Sequence, residues 1–295
     1  MLPNFLIIGV QKGGTTSLIN YLAKHPDVFV PFEKEIPYFH NDTFYEKGVE
    51  YYKKFFKGWK GEKLVGHAPV NTLFYAKKAA KRIYDFNRKM KLIVIFRNPI
   101  DRAYSHYWYC KRNCLEDALT FEEAIERELE LLKQNKELEE LQCVYYLSHG
   151  LYYDQIKEYL KYFPQDQMLF LLYEDMKKDL KSTLKKVYSF LGIKDYFPED
   201  LLSKKYNVAS MPKIKVLQKV IYRDNIVKNL YKSLVPETVR FFLKEKLIAP
   251  LISKNLQKFQ YEPMKPATRK FLQNFFKEPN KKLHELIGID ISRWK

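Results

Sequence analysis

The stretch Phe5-Leu-Ile-Ile-Gly9-Val-Gln-Lys12-Gly13-Gly14-Thr15-Thr16-Ser17 joins two patterns near the start of the chain. Phe5–Gly9 is short, apolar and β-branched, which predicts a buried strand. Glycines follow at once. From Thr15 the residues Leu18, Tyr21 and Leu22 recur at helical spacing, which predicts a helix over Thr15–Lys24. Backbone N–H groups at such a strand–turn–helix junction, together with the helix N-terminus, make a cradle for phosphate-like oxygens. A lysine in the turn can neutralise a bridging or leaving oxygen. A nucleoside-triphosphate loop places its Lys directly before Ser or Thr. Here Lys12 precedes Gly13 and Gly14 instead. A tight turn carrying an exposed lysine is the bland alternative.

The same grammar repeats along the chain. Lys63–Gly66 and Met168–Tyr173 read as strands, and Lys91-Leu-Ile-Val-Ile-Phe96 is the clearest strand of all. Helices are predicted around Leu73–Phe86, from Pro99 to Tyr109, over Leu180–Leu191 with Gly192 as its stop, and over Pro279–Gly288. Thr120-Phe-Glu-Glu123 has capping-box spacing and opens a charged helix to about Leu141, whose glutamates read as a solvated face. Near-continuous apolar strands alternating with helices predict an α/β fold with a parallel sheet covered on both faces.

The chain has 295 residues, enough for one large domain or two small ones, and 46% hydrophobic content excludes a disordered polyelectrolyte. Its 52 Lys and Arg against 35 Asp and Glu give a net charge of +17, which suits anionic partners: nucleotide, nucleic acid, acidic glycan or a lipid surface. No apolar run approaches the ~18–20 residues of a membrane span. No signal peptide is read at the amino terminus, and three cysteines suggest a reducing compartment. A cytoplasmic protein, open to peripheral membrane attachment, is expected. His106, Cys110 and Cys114 share one helix face, where core packing is expected rather than metal.

A second segment carries chemistry: Ile95-Phe96-Arg97-Asn98-Pro99-Ile-Asp101-Arg102-Ala-Tyr-Ser105-His106-Tyr107. Arg97 lies at the carboxyl end of a strand, where open α/β sheets bind ligands. Arg97 can grip a phosphate bidentately and Ser105 can add a hydroxyl donor; an arginine–carboxylate pair at the sheet edge is the alternative.

Together these segments resemble the sulfotransferases that use 3′-phosphoadenosine 5′-phosphosulfate (PAPS), in the branch containing heparan sulfate and other glycan sulfotransferases and their bacterial relatives. Lys12-Gly13-Gly14-Thr15-Thr16 looks like that family's 5′-phosphosulfate loop, and Arg97-Asn-Pro…Arg102…Ser105 like its 3′-phosphate motif. His25-Pro26-Asp27-Val28, Gly150-Leu-Tyr152, Leu172-Tyr173-Glu174-Asp175, Phe190-Leu191-Gly192, Asn207-Val-Ala-Ser-Met-Pro212 and the terminal Phe276–Gly288 recur in the same order. The resemblance implies a P-loop-like three-layer sandwich with extra carboxyl-terminal helices. It implies one domain: a core over 1–203, a basic helical appendage or lid over 204–266, and a carboxyl-terminal helix packing back on the core.

The resemblance also implies site residues. Lys12 with Gly13, Gly14, Thr15, Thr16 and Ser17 holds the 5′-phosphosulfate; Arg97 and Ser105 hold the 3′-phosphate. Tyr206 is a candidate for stacking on adenine. In Pro31-Phe-Glu33-Lys34-Glu35-Ile36-Pro37-Tyr38-Phe39, Glu35 matches the family's general base, with burial among Ile36, Tyr38 and Phe39 expected to raise its pKa. In Gly66-His67-Ala68-Pro69, His67 stands where the family commonly has Lys, and Gly66 where it has an acid. His67 is a candidate to bind an acceptor oxygen or stabilise charge. The implied reaction moves a sulfuryl group to a hydroxyl or amine of an acceptor, a glycan, a glycolipid or another metabolite, with no metal. PAPS and its product PAP are the implied small-molecule partners, and no nucleic acid is. A nucleotide-dependent kinase and a non-catalytic basic module for nucleic acid or membrane are the alternatives. Residues 212–260 hold 11 Lys and Arg against 3 Asp and Glu, which suits an acidic or lipid-linked acceptor.

Overall fold

The computed structural model describes residues 2–134, 145–198, 210–223, 235 and 243–294. In chain order its elements begin with β1 (Phe5–Gly9), α1 (Thr15–Leu22), β2 (Val28–Phe29), α2 (Asp42–Glu46), α3 (Gly48–Lys53), β3 (Leu64–His67), α4 (Ala76–Phe86) and β4 (Lys91–Phe96). There follow α5 (Pro99–Arg112), α6 (Phe121–Lys133), α7 (Tyr152–Leu160), β5 (Met168–Leu172), α8 (Tyr173–Lys178) and α9 (Leu180–Leu191). Then come β6 (Ser210–Pro212), α10 (Lys215–Tyr222), α11 (Ala249–Asn255), β7 (Leu256–Lys258) and α12 (Pro266–Ile287). Two compact units result. One holds Met1–Arg102, Ser148–Tyr206 and Lys270–Lys295; the other holds Ala103–Leu147 and Asn207–Arg269.

The first unit is built on a parallel sheet of order β2-β3-β1-β4-β5. Alternation along β1 and β4 divides its core in two. Leu6, Ile8, Leu92, Val94 and Phe96 face α4, α7 and α12 through Ala79, Ile83, Ile156, Tyr159 and Leu283. Phe5, Ile7, Ile93 and Ile95 face α1 and α9 through Leu18, Leu22, Leu184 and Leu191. Helices therefore cover both sheet faces, which is why these strands are apolar at every position rather than at alternate ones.

β1, β4 and α9 span the residues that the apolar runs and caps predict. Other boundaries move for local reasons. α4 begins at Ala76 rather than Leu73: residues 70–75 form turns, and the Leu73 N–H goes to the Ile8 carbonyl at 2.9 Å. The carboxyl-terminal helix begins at Pro266, and Pro279 lies inside it rather than at its start. A mid-helix proline costs about 3 kcal/mol. Leu272, Phe276, Leu283 and Ile287, all buried, lie on both sides of it, and each contributes about 1.5–3 kcal/mol. Packing thus carries the helix through its own breaker.

The second unit contains most of α5, together with α6, the antiparallel pair β6–β7, α10 and α11. His106 and Cys110 are fully buried, with the His106 ring 5.2 Å from Tyr146. Cys114 is a buried free thiol. The glutamates of α6 are not all solvated either. Glu128 is completely buried, and its carboxylate accepts the Leu147 N–H at 2.6 Å. The capping box forms in part: Thr120 accepts the Glu123 N–H at 3.2 Å, but Glu123 reaches back to the Leu119 N–H.

Beside β3 in the first unit an aromatic cluster encloses polar groups. Tyr38 stacks on Tyr52 at 4.2 Å, and Phe39, Phe56 and Phe86 meet Tyr52 edge-on. Within this cluster the Tyr52 hydroxyl and His67 Nε2 share a 2.6 Å hydrogen bond. His40 bonds the Thr72 hydroxyl at 2.8 Å, and His149 stacks on Phe74 at 3.8 Å. Burial, aided by Lys78, holds His40 down to about 4; burial, aided by His40, holds His67 down to about 3. Burial and then Arg102 hold His149 well below its usual value.

These rings must stay neutral in the fold, whereas the unfolded chain protonates them below about pH 6.5. Their stabilisation is complete above that pH and declines as pH falls toward 4. For three histidines the slope reaches at most about 4 kcal/mol per pH unit. The midpoint of urea unfolding should therefore drop steeply between about pH 6.5 and 4.5, with uptake of about three protons on unfolding. A flat midpoint across that window would refute the neutral histidine cluster.

Candidate active site

From β1 the chain passes to one side of the sheet, through β2 and β3, and then crosses to lay β4 and β5 on the other. The carboxyl ends of β1 and β4 thus part at a topological switch point, the usual ligand crevice of an open parallel sheet. Lys12 and Arg97 leave the sheet there.

The loop after β1 is fixed by its backbone. Val10 donates to the Ile95 carbonyl at 3.1 Å, and Gly13 donates back to the Val10 carbonyl at 2.9 Å. A Cβ on Gly13 would come within 2.5 Å of the Ile95 oxygen, so only glycine fits. Gly14 sits at φ 93, a left-handed conformation, against Tyr173 and Met176. Lys12 is itself at φ 68, a conformation uncommon outside glycine. The Gly13 N–H bonds within its own turn. α1 starts without a side-chain cap and with no acid in its first turn. The N–H groups of Thr15, Thr16 and Ser17 have no carbonyl partners within their own helix. Three outward N–H groups at the positive end of a helix dipole suit an anionic group.

Arg97 supports that loop from the next strand. Its Nη1 donates to the Lys12 carbonyl at 3.0 Å, and its guanidinium lies over the Tyr173 ring at 4.9 Å. The Arg97 carbonyl accepts the Tyr152 hydroxyl at 2.9 Å. Burial pushes the Tyr152 pKa up, so the hydroxyl stays a donor. Asn98 donates its N–H to Glu174 at 2.9 Å, while its side chain accepts the Ile100 N–H at 3.0 Å and opens α5. Residues from β1, β4, α7 and α8 therefore meet around one backbone turn. Tyr152, Tyr173 and Glu174 escape motif reading because their partners lie far away in sequence. Their only signal is membership of the recurring fragments around Gly150 and Leu172.

The segment bearing Glu35 lies over the end of β3. The Lys34 carbonyl accepts the Ala68 N–H at 2.7 Å, and the Lys34 ammonium donates to Asn20 on α1. Ile36, Tyr38 and Phe39 turn into the core, while Glu35 faces solvent. The expected burial of this carboxylate among its apolar neighbours is thus corrected: those three residues anchor the loop and leave the acid outside. His67 is the reverse case. Its ring is fully buried and neutral, so it presents no positive charge and no exposed nitrogen to an acceptor. Of the remaining candidates, Thr15 is buried, Thr16 exposed and Ser17 half-buried. Ser105 lies on α5 within the second unit, and Tyr206 lies outside the described residues.

Several known proteins are similar to this chain. Over its full length the chain is 25% identical to a membrane-associated sulfotransferase, kil1, of Dictyostelium discoideum, and spans 67% of that protein. It is 33% identical over 196 residues to heparan sulfate glucosamine 3-O-sulfotransferase 3B1 of Mus musculus, covering 65% of this chain and 47% of the mouse protein. The chain thus spans about two thirds of the first relative and less than half of the second. The crystal structure of a sulfotransferase from Alicyclobacillus acidocaldarius superposes with a TM-score of 0.71 at 27% identity, covering 100% of this chain and 99% of that one. The family described as sulfotransferase domain matches residues 2–285, and the chain therefore belongs to the sulfotransferases, whose sulfuryl donor is PAPS.

Proposed function

We propose that this chain transfers a sulfuryl group from PAPS to a hydroxyl or amine of a glycan or glycolipid. The observation that carries the reading is the Lys12 turn, braced by Arg97 at the switch point of the sheet. The likeness to a glycan 3-O-sulfotransferase supports the acceptor class. The likeness to a membrane-associated sulfotransferase supports a lipid-linked acceptor or peripheral attachment to a membrane.

PAPS supplies a sulfur already bonded to a good leaving group; the acceptor forms the new S–O or S–N bond as the bond to the 5′-phosphate breaks. Lys12 balances the negative charge that collects on the departing phosphate oxygen. The first-turn amides of α1 hold the 5′ end of the donor. Arg97 and Ser105 receive the 3′-phosphate, and Tyr206 remains the candidate for the adenine. Glu35 takes the proton of the acceptor, and its exposure suits a base that must meet an incoming group. His67 works through its neighbours as a positioning residue. Its bond to Tyr52 fixes the ring on which Tyr38 stacks, and Tyr38 stands three residues beyond Glu35.

Incubation with labelled PAPS and a panel of oligosaccharides, glycolipids and amines, read by mass spectrometry, tests the activity. Wild type should add one SO₃ group to a hydroxyl or amine acceptor. Lys12→Ala should slow transfer by roughly 10²–10³-fold, the usual effect of losing one charge-stabilising group. No transfer to any acceptor, or full transfer by the variant, would overturn the assignment.

Glu35→Gln separates binding from chemistry. PAP affinity measured by calorimetry should stay within about twofold, while turnover falls by on the order of 10²–10⁴. An unchanged turnover would move the base to another residue.

For His67 the informative pair is Gln and Leu. Glutamine can keep a hydrogen bond to Tyr52 and should retain turnover within about threefold. Leucine leaves the buried Tyr52 hydroxyl without this partner and should lower kcat about tenfold at unchanged PAP affinity. A folded Gln variant as slow as the Leu variant would show that the imidazole itself takes part.

A further inference from the structure

In its described parts, the basic carboxyl-terminal stretch consists of two short amphipathic elements hung from one ribbon. β6 and β7 pair antiparallel with Pro212 opposite Leu256. The end of β6 and the start of β7 are therefore neighbours. α10 follows β6 and α11 precedes β7, so both leave the ribbon at the same end. Asn255, buried at that junction, locks them together. Its carbonyl accepts the Lys213 N–H at 2.7 Å, its Oδ1 accepts the Ile214 N–H at 2.9 Å, and its Nδ2 donates to the Ile214 carbonyl at 3.0 Å. The same Nδ2 also donates to Gln218 at 3.2 Å, and Gln218, completely buried, donates to Asn113 at 3.2 Å. The two elements are one clamped assembly rather than separate flaps.

Their outer faces share one chemistry. Around α10, Lys213, Ile214, Lys215, Val216, Lys219 and Val220 are exposed. The pairs Lys215/Lys219 and Val216/Val220 form adjacent rows on one side of the helix, since residues four apart stack on the same face. In the π-helical segment Lys244–Ile248 that leads into α11, in α11 itself and in β7, Lys246, Leu247, Leu251, Lys254 and Lys258 are exposed. Val216 is 71% exposed, Leu247 61% and Ile214 59%, far more than large aliphatics that pack within a unit. No Asp or Glu occurs in 210–223 or 246–258.

A partner for this face must offer an apolar phase and fixed negative charge together. An anionic lipid bilayer does: acyl chains take up the aliphatics, headgroup phosphates meet the ammonium groups, and long lysine stems let charge stay at the interface. An acidic oligosaccharide satisfies the lysines but offers nothing to Ile214, Val216 or Leu247, and none of these exposed residues is aromatic for stacking on a sugar. We infer that the face formed by 213–220 and 246–258 docks this protein on anionic membrane surfaces. The inference names the surface behind the peripheral attachment above, and it stands on shape and charge independently of the transfer chemistry.

Co-flotation with vesicles tests it, using phosphatidylcholine alone and phosphatidylcholine with about one third phosphatidylserine. The full chain should float with the anionic vesicles and hardly with the neutral ones. Lys215→Gln with Lys219→Gln should weaken partition roughly twenty-five-fold, at about five-fold per lysine near a charged surface. Val216→Asn with Leu247→Asn should weaken it about ten-fold or more without altering charge. All four positions are exposed, so thermal melting curves should stay close to wild type. Equal flotation with both vesicle types, or none with either, would overturn the proposal. So would a loss caused by the lysine pair alone, especially if a sulfated oligosaccharide then competes; the face would belong to a soluble polyanion. PAP titration of the same variants is a separate readout, so failure of docking and failure of the transferase reading are distinguishable.

Discussion

The hydrogen bond from Arg97 to the Lys12 carbonyl joins the two strands between which a ligand crevice opens. A lysine at positive φ is a costly conformation for a residue with a side chain, on the order of 1–3 kcal/mol. It persists because neighbours determine it on every side. Ile95 holds Val10, Gly13 has no room for a Cβ, Gly14 rests on Tyr173 and Met176, and Arg97 grips the carbonyl between them. Tyr173 then serves twice, as the floor under Gly14 and as the ring beneath the Arg97 guanidinium. Loosening any of these would free the lysine to a commoner conformation and move its ammonium.

How much of this was legible in the sequence depends on whether the cause is local. β1, β4 and the stop at Gly192 are set by apolar runs and a left-handed glycine, and they read directly from neighbouring residues. β2 has only two residues, too few to make a pattern. Leu73 looks helical by spacing, but its N–H goes to Ile8, far away in sequence, and it lies in a turn before the helix. Pro279 looks like a helix start, but buried residues on both sides carry the helix through it. Among the site residues, the Lys12 turn and Arg97 were legible because strand, glycine and charge lie together. Tyr152, Tyr173 and Glu174 were not, since only the fold brings them to the turn. The exposure of Glu35 is hidden from the sequence for a related reason. Composition shows apolar neighbours, but not that those neighbours and the acid leave the chain in opposite directions.

Three buried histidines of the first unit, His40, His67 and His149, are held neutral by burial, and the first two also make side-chain hydrogen bonds. His40 bonds Thr72, whose carbonyl also accepts the Tyr159 hydroxyl at 3.0 Å. This small network ties α7 to the segment that follows β3. It gives orientation that a purely apolar contact would lack, because hydrogen bonds fix angle as well as distance.

The departure at Gly66-His67 becomes intelligible from the same packing. The related pattern pairs an acid with the following lysine. Here a Cβ at position 66 would lie 2.4 Å from the Phe5 ring, so no acid can stand there while Phe5 fills β1. A lysine at 67 would then be buried without its adjacent counter-charge, and an isolated buried ammonium is strongly disfavoured. Histidine avoids that cost by staying neutral, and the Tyr52 hydroxyl supplies its partner. The two positions are therefore linked: with Phe5 in β1 neither the acid at 66 nor a paired lysine at 67 fits, and this strand end carries no positive charge. In the proposed reaction the charge on the departing phosphate is then met by Lys12, at the end of the neighbouring strand β1.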